Sequence, residues 1–348
     1  MELTQWARPN ILQLKPYSSA RDEYSGEAMV FLDANENPWN QPWNRYPDPL
    51  QRELKKKVAQ LKETDPSLIF LGNGSDEPID LLIRIFCEPG QHNLVQIEPT
   101  YGMYAVAAGV NHIAVTGVPL SGDYQLDARR LLAAVNPATR IIFLCSPNNP
   151  TGNALDSAEM VKVIQGFPGP VVVDEAYVDF SRKGSLLPRL SEFPNLVILQ
   201  TFSKAWGMAG LRLGMAFAAP EIITLMNRIK YPYNLSSLTQ RTALELLDTE
   251  ARKEEWVHTL LTERDGLAAA LASVPCVEKV WPSDANFLLV RVSDARKIYG
   301  LLTDRGIIVR DRSRILLCDE SLRITVGTPG ENEILIRALH DISRNEPF

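Results

Sequence analysis

The fold of this chain is decided by the stretch Leu196-Val-Ile-Leu-Gln-Thr-Phe-Ser-Lys-Ala-Trp-Gly-Met-Ala-Gly-Leu-Arg-Leu-Gly214. Its first four residues, Leu196–Leu199, form an aliphatic run that predicts a buried β-strand. A second run, Gly214–Ala218, follows too soon for a crossover helix, so the two strands are predicted to pair antiparallel. Lys204 comes after the carboxyl end of the first strand, where open α/β sheets bind their ligands. Lys204 is therefore a candidate site residue.

Buried strands are also predicted at three places upstream. Leu94–Ile97, Ile141–Leu144 and Val171–Val173 are continuous aliphatic or β-branched runs, with no polar alternation. Longer amphipathic stretches separate them, which is the pattern of parallel strands joined by crossover helices. The sequence therefore predicts an α/β fold whose large domain has a mostly parallel, mixed sheet.

A glycine-rich turn follows another predicted strand, Leu68–Leu71. Gly72-Asn-Gly74 makes the turn, and Ser75 is the predicted N-cap of a helix with one apolar face. The start of such a helix can bind a phosphate through its free N–H groups. A plain strand-to-helix turn explains the same residues, so this motif alone leaves both interpretations open.

The C-terminal part of the chain predicts a second, smaller α+β domain. Residues 240–272 are helix-rich, and strands are predicted at Asn286–Val292, Gly306–Val309 and Leu322–Val326. Thr328-Pro-Gly-Glu331 has the spacing of a capping box before a last helix. We expect an N-terminal arm with part of the small domain over 1–45, a large domain over 46–238 and a small domain over 239–348.

Composition and charge exclude several classes of protein. The 348 residues are 45% hydrophobic and 22% charged, as in ordinary globular proteins, and the net charge is −6 without a basic tract suited to nucleic acid. The first residues lack the apolar core of a signal peptide, and no run is long enough to span a membrane. We therefore expect a cytoplasmic protein that binds neither nucleic acid nor membrane.

Metal binding is not expected either. The 4 cysteines and 4 histidines show no Cys-x-x-Cys or His-x-x-x-His spacing. The cysteines lie in apolar runs, which predicts buried free thiols. They are Cys87, Cys145, Cys276 and Cys318.

Polar side chains follow three of the predicted strands. A desolvated lysine amine near another cation loses basicity and becomes nucleophilic towards carbonyl groups, and Arg212 supplies such a cation for Lys204. Asp174 and Tyr177 follow the strand Val171–Val173, and Asn149 lies in the turn after Ile141–Leu144. Unrelated turns explain each residue separately, but not all of them together at strand ends.

Together these motifs resemble the pyridoxal-phosphate-dependent aminotransferases of the aspartate-aminotransferase fold and, among them, the histidinol-phosphate aminotransferases. The resemblance covers nearly the whole chain, and its specificity comes from the order of many short motifs. It implies a large cofactor-binding domain, over 46–238, and a smaller α+β domain. The motifs are Pro16–Arg21, Leu32–Pro38, Asn44–Pro49, Gly74–Glu77, Pro99–Tyr104, Ser146–Gly152, Asp174–Tyr177, Thr201–Gly214, Val309–Arg312 and Leu322–Thr328.

The resemblance implies pyridoxal 5'-phosphate as the cofactor and Lys204 as the lysine that holds it as a Schiff base. Asp174 then pairs with the protonated ring nitrogen, Tyr177 and Asn149 bond the ring hydroxyl oxygen, and Tyr101 stacks on the ring. Lys204, Asp174 and Tyr177 are the implied catalytic residues. The implied contacts of the cofactor phosphate are Thr201, Ser203, Arg212, the backbone of Ser75 and Asp76, and the partner subunit's Tyr46.

Shared sites of this kind imply a homodimer. The implied substrates are L-histidinol phosphate and 2-oxoglutarate, which give imidazole acetol phosphate and L-glutamate in L-histidine biosynthesis. Arg323 is implied to bind the substrate α-carboxylate, and Arg323 with Arg310 to bind the substrate phosphate through planar guanidinium forks. The other implied substrate contacts are Tyr17 near the phosphate, Asn35, Glu36 and Asn37 at the imidazole, and Tyr233 from the partner subunit.

Two activities and one non-enzymatic role compete with this interpretation. A decarboxylase of a phosphorylated amino acid would share the cofactor motifs and break a different bond at the substrate Cα, and an aromatic aminotransferase would differ in its substrate pocket. A non-catalytic domain would bind the cofactor without turnover. Assays of amino transfer and of carbon dioxide release separate these alternatives.

Overall fold

Two β-sheets organise the protein, which a computed structural model describes at residues 3–18, 20–24 and 29–346. Ser19, which belongs to the motif Pro16–Arg21, lies outside the described residues. The described N-terminal residues include the short helices α1 (Pro9–Gln13) and α2 (Ala20–Glu23). The segment that follows α2 has no regular secondary structure until residue 52 in its described part.

In the described part of the chain, the larger sheet has seven strands. They are β1 (Ile69–Asn73), β2 (Asn93–Glu98), β3 (Ala114–Pro119), β4 (Thr139–Cys145), β5 (Val171–Asp174), β6 (Leu196–Thr201) and β7 (Leu213–Ala218). Their order in space is β1-β7-β6-β5-β4-β2-β3. All neighbours from β3 to β6 are parallel, while β7 is antiparallel to both β6 and β1. The predicted mixed sheet and its antiparallel β6–β7 pair are confirmed.

Within the larger sheet, strand β3 is the one that the sequence pattern does not indicate. It lies at the edge of the sheet, beside β2, and most of its residues are exposed or half-buried. Edge strands need no continuous apolar run, because one of their sides has no neighbouring strand. Gly117 and Pro119 within it also weaken the strand signal.

Helices cover both faces of the larger sheet. They are α3 (Arg52–Leu61), α4 (Asp76–Phe86), α5 (Met103–Val110), α6 (Ala128–Ala133), α7 (Ser157–Gly166) and α8 (Pro220–Ile229). Side chains of one strand therefore enter two different cores: Val171 and Val173 pack on one side of the sheet and Val172 on the other. This double burial explains why the central strands are continuous apolar runs.

The smaller sheet holds the strands β8 (Val277–Val280), β9 (Phe287–Val292), β10 (Arg310–Asp311) and β11 (Ser321–Thr325). Their order in space is β10-β11-β9-β8, with all neighbours antiparallel. The helix after it starts with the predicted capping box of Thr328 and Glu331. A separate apolar core joins this sheet to its helices. The helices of this region are α9 (Ser237–Leu246), α10 (Glu250–Ala272), α11 (Ala295–Asp304) and α12 (Pro329–Asn345).

Two sequence predictions for this region need correction. The predicted strand Gly306–Val309 is wrong: Gly306 has φ of +74°, and the strand itself is the two-residue β10 that follows. The helical stretch 240–272 is two helices, α9 and α10, with a short 3-10 turn between them. Strand β8 was not predicted, because half of its residues are exposed.

The predicted division into domains at residues 238 and 239 stays a prediction. Leu235, Ala243 and Val257 lie on both sides of that boundary and belong to the same apolar core as Val171. The core of the smaller sheet takes residues from Leu267 onward. Packing therefore passes from one core to the other along α10.

Candidate active site

Side chains at the carboxyl ends of three neighbouring strands line one pocket. Asn149 follows β4, Asp174 ends β5 and Lys204 follows β6. Because these strands are parallel neighbours, their carboxyl ends meet at the same edge of the sheet. The other lining residues are Ser75, Asp76, Tyr101, Cys145, Ala176, Tyr177, Thr201, Ser203 and Arg212.

The N-terminus of α4 closes one end of this pocket. Gly74 has φ of +72°, and its N–H donates to the carbonyl of Arg212 at 2.6 Å. A Cβ on Gly214 would lie 2.3 Å from the backbone nitrogen of Ser75, so only glycine lets β7 approach the helix start this closely. Ser75 is the N-cap, as predicted, but its side chain makes no capping hydrogen bond. The first-turn N–H groups are therefore free of a side-chain cap and suited to an anion.

Asp76 connects the cation and the aromatic ring at this end of the pocket. Its Oδ2 lies 3.3 Å from Nη2 of Arg212, and its Oδ1 accepts a hydrogen bond from the Tyr101 hydroxyl at 3.1 Å. Burial, together with the Asp76 carboxylate, raises the pKa of Tyr101 above its usual range. Tyr101 thus stays a neutral phenol whose ring is held at the pocket wall.

Lys204 has an amine that is less basic than an ordinary lysine. Part of its side chain is open to solvent, but burial of the amine and then the positive charge of Arg323 lower its pKa. Its Nζ lies 5.5 Å from the centroid of the Tyr177 ring. The turn before it is held by the Ser203 N–H, which donates to Oγ1 of Thr201 at 3.1 Å. A larger share of free amine makes Lys204 a better nucleophile towards an aldehyde.

Asp174 is a buried carboxylate, with 2% of its surface exposed. Oδ2 accepts a hydrogen bond from the Tyr104 hydroxyl at 2.6 Å, and Oδ1 accepts one from the Ala176 N–H at 3.1 Å. Burial raises the pKa of Asp174, and the hydrogen bond from Tyr104 opposes that rise. Among the described residues, no lysine or arginine forms a salt bridge with it. A cation placed against this carboxylate would offset the cost of its burial.

Arg323, on the smaller sheet, lies outside the set of lining residues but contacts one of them. Its Nη1 donates to Oδ1 of Asn149 at 2.6 Å, and its guanidinium lies 5.4 Å from the centroid of the Phe287 ring. Tyr177 packs edge-on against the same ring at 5.1 Å. Burial raises the pKa of Tyr177 above its usual range, so its hydroxyl stays protonated. Arg310 is the direct register partner of Arg323 on β10.

The other predicted site residues do not line this pocket. Tyr46 stacks on Tyr233 with ring centroids 4.5 Å apart, and both lie outside the set of lining residues. Tyr17 is 70% exposed, and Asn35 and Asn37 are also exposed. Their roles towards cofactor and substrate therefore remain predictions.

Glu36 has partners that the sequence does not indicate. Its Oε2 accepts from Nη2 of Arg21 at 2.5 Å and from Nη1 of Arg45 at 2.6 Å, and its Oε1 accepts the Tyr46 N–H at 2.6 Å. Burial alone would raise the pKa of Glu36, but these hydrogen bonds outweigh it and lower the pKa to about 2. In this structure, Glu36 holds the segment that carries Tyr46, and its predicted contact with the substrate imidazole stays a prediction.

Two residues at the site were missed by sequence reasoning. Tyr104 is fully buried and bonds Asp174, although the motif Pro99–Tyr104 carries no signal that separates this tyrosine from a core residue. Cys145 lines the pocket beside Asp174, and burial raises its pKa. All four cysteines are buried free thiols, as predicted.

These residues fit pyridoxal phosphate as a ligand. The uncapped start of α4 and Arg212 suit its phosphate, the low-pKa amine of Lys204 suits its aldehyde, and buried Asp174 suits its protonated ring nitrogen. Within the described ranges, no group of three or more His, Cys, Asp or Glu side chains is placed to hold a metal ion. No described helix has both the length and the apolar surface needed to cross a bilayer.

Comparison with known proteins places the chain in a family. A family model described as aminotransferase class I and II matches residues 28–339. The histidinol-phosphate aminotransferase of Parabacteroides distasonis is 56% identical over 341 residues, which cover 98% of this chain and 99% of that protein. That of Bacteroides fragilis is 57% identical and covers 97% of this chain and 98% of its own length.

A solved structure shows the same architecture. It is the histidinol-phosphate aminotransferase of Sinorhizobium meliloti in complex with pyridoxal-5'-phosphate. Its TM-score with this chain is 0.80 at 26% sequence identity, and the match covers 86% of this chain and 83% of that one. The predicted fold, with a mostly parallel mixed sheet beside a smaller α+β unit, is confirmed.

Proposed function

The chain belongs to the class I and II aminotransferase family, and from this premise we propose that it catalyses the histidinol-phosphate aminotransferase reaction. It transfers the amino group between L-histidinol phosphate and 2-oxoglutarate, giving imidazole acetol phosphate and L-glutamate in L-histidine biosynthesis. The strongest support is 56% identity over 98% of the chain to a protein of that name. The lysine, carboxylate and arginine chemistry of the pocket agrees with it.

Pyridoxal 5'-phosphate is the cofactor, and different pocket residues are proposed to bind its phosphate and its ring. When bound, it supplies an electron-accepting ring that stabilises the charge left when the substrate Cα–H bond breaks. We assign the phosphate to the start of α4 at Ser75 and Asp76, with Thr201, Ser203 and Arg212 around it. Tyr101 lies at the wall where the ring face would pack.

Lys204 is the proposed site of covalent attachment and the proposed acid and base. Its lowered pKa keeps a larger fraction of free amine for attack on the aldehyde carbon. Its Nζ would take the proton from the substrate Cα as a base and, as an ammonium acid, would deliver it to the cofactor carbon that carried the aldehyde. Arg323 keeps this amine from holding a proton too tightly, because like charges repel.

Asp174 and Tyr177 have complementary proposed roles. The carboxylate of Asp174 would keep a proton on the ring nitrogen. The resulting ion pair would offset the free-energy cost of burying the carboxylate. The Tyr177 hydroxyl, which stays protonated, donates to the ring oxygen together with the Asn149 amide. Because Asn149 also accepts from Arg323, its amide nitrogen is turned away from that arginine and is free to donate.

Substrate binding is proposed for residues of both sheets. Arg323 binds the α-carboxylate of glutamate, and Arg310, directly opposite it, joins in binding the phosphate of histidinol phosphate. Tyr17, Asn35, Glu36 and Asn37 are proposed at the phosphate and imidazole ends. In a dimer, these N-terminal residues would reach the pocket if the N-terminal segment moved over it, or if the partner subunit supplied them.

We propose a homodimer with shared sites, which works in the cytoplasm. The support is the exposure of large apolar side chains in the segment around Tyr46: Leu32 is 90% exposed, Trp39 77% and Trp43 53%. The partner subunit's Tyr46 and the partner subunit's Tyr233 would then reach the cofactor and the substrate. Sedimentation of the purified protein tests the dimer, and mixing two inactive variants, one of Tyr46 and one of Lys204, tests shared sites through recovered activity.

A direct assay tests the proposed reaction. Purified protein loaded with pyridoxal phosphate is given L-histidinol phosphate and 2-oxoglutarate, and glutamate formation is measured. Carbon dioxide release from a phosphorylated amino acid is measured in parallel, and an aromatic amino acid is offered as a third donor. Turnover of histidinol phosphate supports the proposal, whereas carbon dioxide release, or turnover of the aromatic donor alone, contradicts it.

A further inference from the structure

Arg312 lies on the same face of the smaller sheet as Arg310 and Arg323. Arg310 and Arg323 are register partners on β10 and β11. The Arg312 N–H donates to the carbonyl of Ser321 at 2.8 Å, which continues this register by one more pair. Because side chains alternate along a strand, residues 310, 312 and 323 project from one face. These three residues are called the arginine cluster below.

The arginine cluster carries more positive charge than its described neighbours balance. None of its members forms a salt bridge within the described residues. The neighbouring carboxylate, Asp311, accepts instead from the N–H and hydroxyl of Ser313, at 2.8 and 2.6 Å. One N–H group of Arg323 donates a hydrogen bond to Asn149. In the described part of the chain, three guanidinium groups therefore share one sheet face without a salt bridge, and Asp311 is the one carboxylate that offsets the charge of Arg312.

Among the described residues, Arg312 is the member of this cluster with an unpartnered buried donor. Its Nε is buried and has no hydrogen-bond partner in the described structure. Burial, and then the positive charges of Arg323 and Arg310, lower its pKa to about 10. A buried donor without an acceptor is costly, and so is a cation beside two others. The accumulation of positive charge on this face is explained if a ligand supplies negative charge to the cluster.

We propose that Arg312 is the third guanidinium of the substrate phosphate subsite, and that it sets the preference for a phosphate dianion over a carboxylate. A carboxylate carries one charge and two oxygens, which Arg323 satisfies with its planar fork. A phosphate dianion presents three oxygens and twice the charge, which gives Arg312 an acceptor and the cluster a counterion. This inference rests on the proposed function and deepens it.

Arg312→Gln tests the assignment, because glutamine keeps much of the length and removes the charge. The two half-reactions of the loaded enzyme are followed separately, one with L-histidinol phosphate and one with L-glutamate. The half-saturation concentration for histidinol phosphate should rise about 10- to 100-fold, with the maximal rate within about 2-fold. For glutamate the same constant should change by less than about 3-fold. Arg314→Gln, an exposed arginine two residues away, should leave both half-reactions unchanged.

Inorganic phosphate gives a readout that does not depend on turnover of histidinol phosphate. As a competitor in the glutamate half-reaction, it should inhibit the Arg312→Gln variant about 10-fold more weakly than the wild type. If the wild type does not convert histidinol phosphate, the proposed function fails, and phosphate inhibition still decides the role of Arg312. Where the glutamine variant does not melt cooperatively, Arg312→Lys replaces it, with a smaller but equally selective loss expected.

Two results would overturn the inference. Equal weakening of glutamate and histidinol phosphate would make Arg312 a structural support of Arg323. Unchanged constants for histidinol phosphate and for phosphate inhibition would remove it from the subsite.

Discussion

The hydroxyl of Tyr104 donates a 2.6 Å hydrogen bond to Oδ2 of Asp174, and both side chains are buried at the carboxyl edge of the larger sheet. The Tyr104 ring stacks on Phe143 of β4 with centroids 4.7 Å apart, so helix α5 fixes the phenol against the sheet. This hydrogen bond stabilises the ionised form of Asp174, while burial favours the neutral form. Tyr104 is thus a positioning residue, because it acts through Asp174, the proposed partner of the cofactor ring nitrogen.

Tyr104→Phe should make the ionised form of Asp174 less stable without leaving a large cavity in the core. Removing the donor raises the pKa of Asp174 further, because only the stabilising hydrogen bond is lost. The acid limb of the kcat–pH profile should therefore shift to higher pH, and kcat at neutral pH should fall about 10-fold. The profile is measured with saturating substrates. Profiles that overlay those of the wild type would show that Asp174 does not depend on Tyr104.

Lys204→Ala should abolish the covalent attachment of the cofactor. Reaction with pyridoxal phosphate and then borohydride should leave a modified peptide containing Lys204 in the wild type and no such peptide in the variant, since alanine has no amine. Peptide mass spectrometry after reduction is the measurement. Lys56→Ala serves as the control, because Lys56 is exposed on α3. A reducible cofactor link that persists in Lys204→Ala would assign the chemistry to another lysine.

Arg323→Gln should weaken both substrates. Its guanidinium is proposed to receive the carboxylate of glutamate and, in the other half-reaction, the phosphate of histidinol phosphate. Loss of a charged hydrogen-bonding pair should raise each half-saturation constant about 10- to 100-fold. The two half-saturation constants are measured by separate single-turnover titrations with the two substrates. An effect on one substrate only would mean that carboxylate and phosphate use different cations.

Gly214→Ala should disturb the start of α4. The new Cβ would lie 2.3 Å from the Ser75 nitrogen and 2.4 Å from the Gly74 carbonyl carbon, and both atoms belong to the backbone. We expect a loss of about 1–3 kcal/mol in the free energy of unfolding and weaker cofactor binding, because the anion-binding turn must shift. Urea denaturation of the apoprotein and a cofactor titration measure these effects.

Gly210→Ala is the matched control for that substitution. A Cβ at Gly210 has no atom within 4 Å, so both measurements should stay close to the wild type. If Gly214→Ala were equally silent, the close approach of β7 to the helix start would not matter for the cofactor site.

The cofactor pocket was predictable because its residues follow buried strands. Lys204, Asp174 and Asn149 each come after a continuous apolar run, and parallel topology brings such positions together. The substrate side was less accessible to sequence reasoning. β10 has only two residues, and the aliphatic run before it predicts a strand that is absent, because Gly306, with a left-handed φ, belongs to the turn that ends α11.

Contacts within irregular segments leave even less signal. Glu36 and Arg45 lie in a segment without helical or strand periodicity, and Arg21 lies in the short helix α2, so no spacing rule relates the three. Tyr104 has the opposite difficulty: its helix is apolar nearly all round, and a buried phenol that bonds Asp174 cannot be told from a packed one. Both contacts depend on tertiary packing alone.

Glu36→Gln should lower stability at neutral pH and make it less sensitive to acid. The pKa of Glu36 lies at about 2, below its usual 4.5, so its ionised form favours the folded protein. This contribution is complete above pH 4.5 and is lost as pH falls from 4.5 towards 2. The variant should be less stable than the wild type by about 1–2 kcal/mol at pH 7, with the difference shrinking between pH 4.5 and 2.

Urea denaturation from pH 7 to pH 2 measures this difference in the free energy of unfolding, with Glu53→Gln on the exposed face of α3 as the control. A difference that stays constant with pH would mean that Arg21 and Arg45 do not stabilise the fold through the ionised carboxylate.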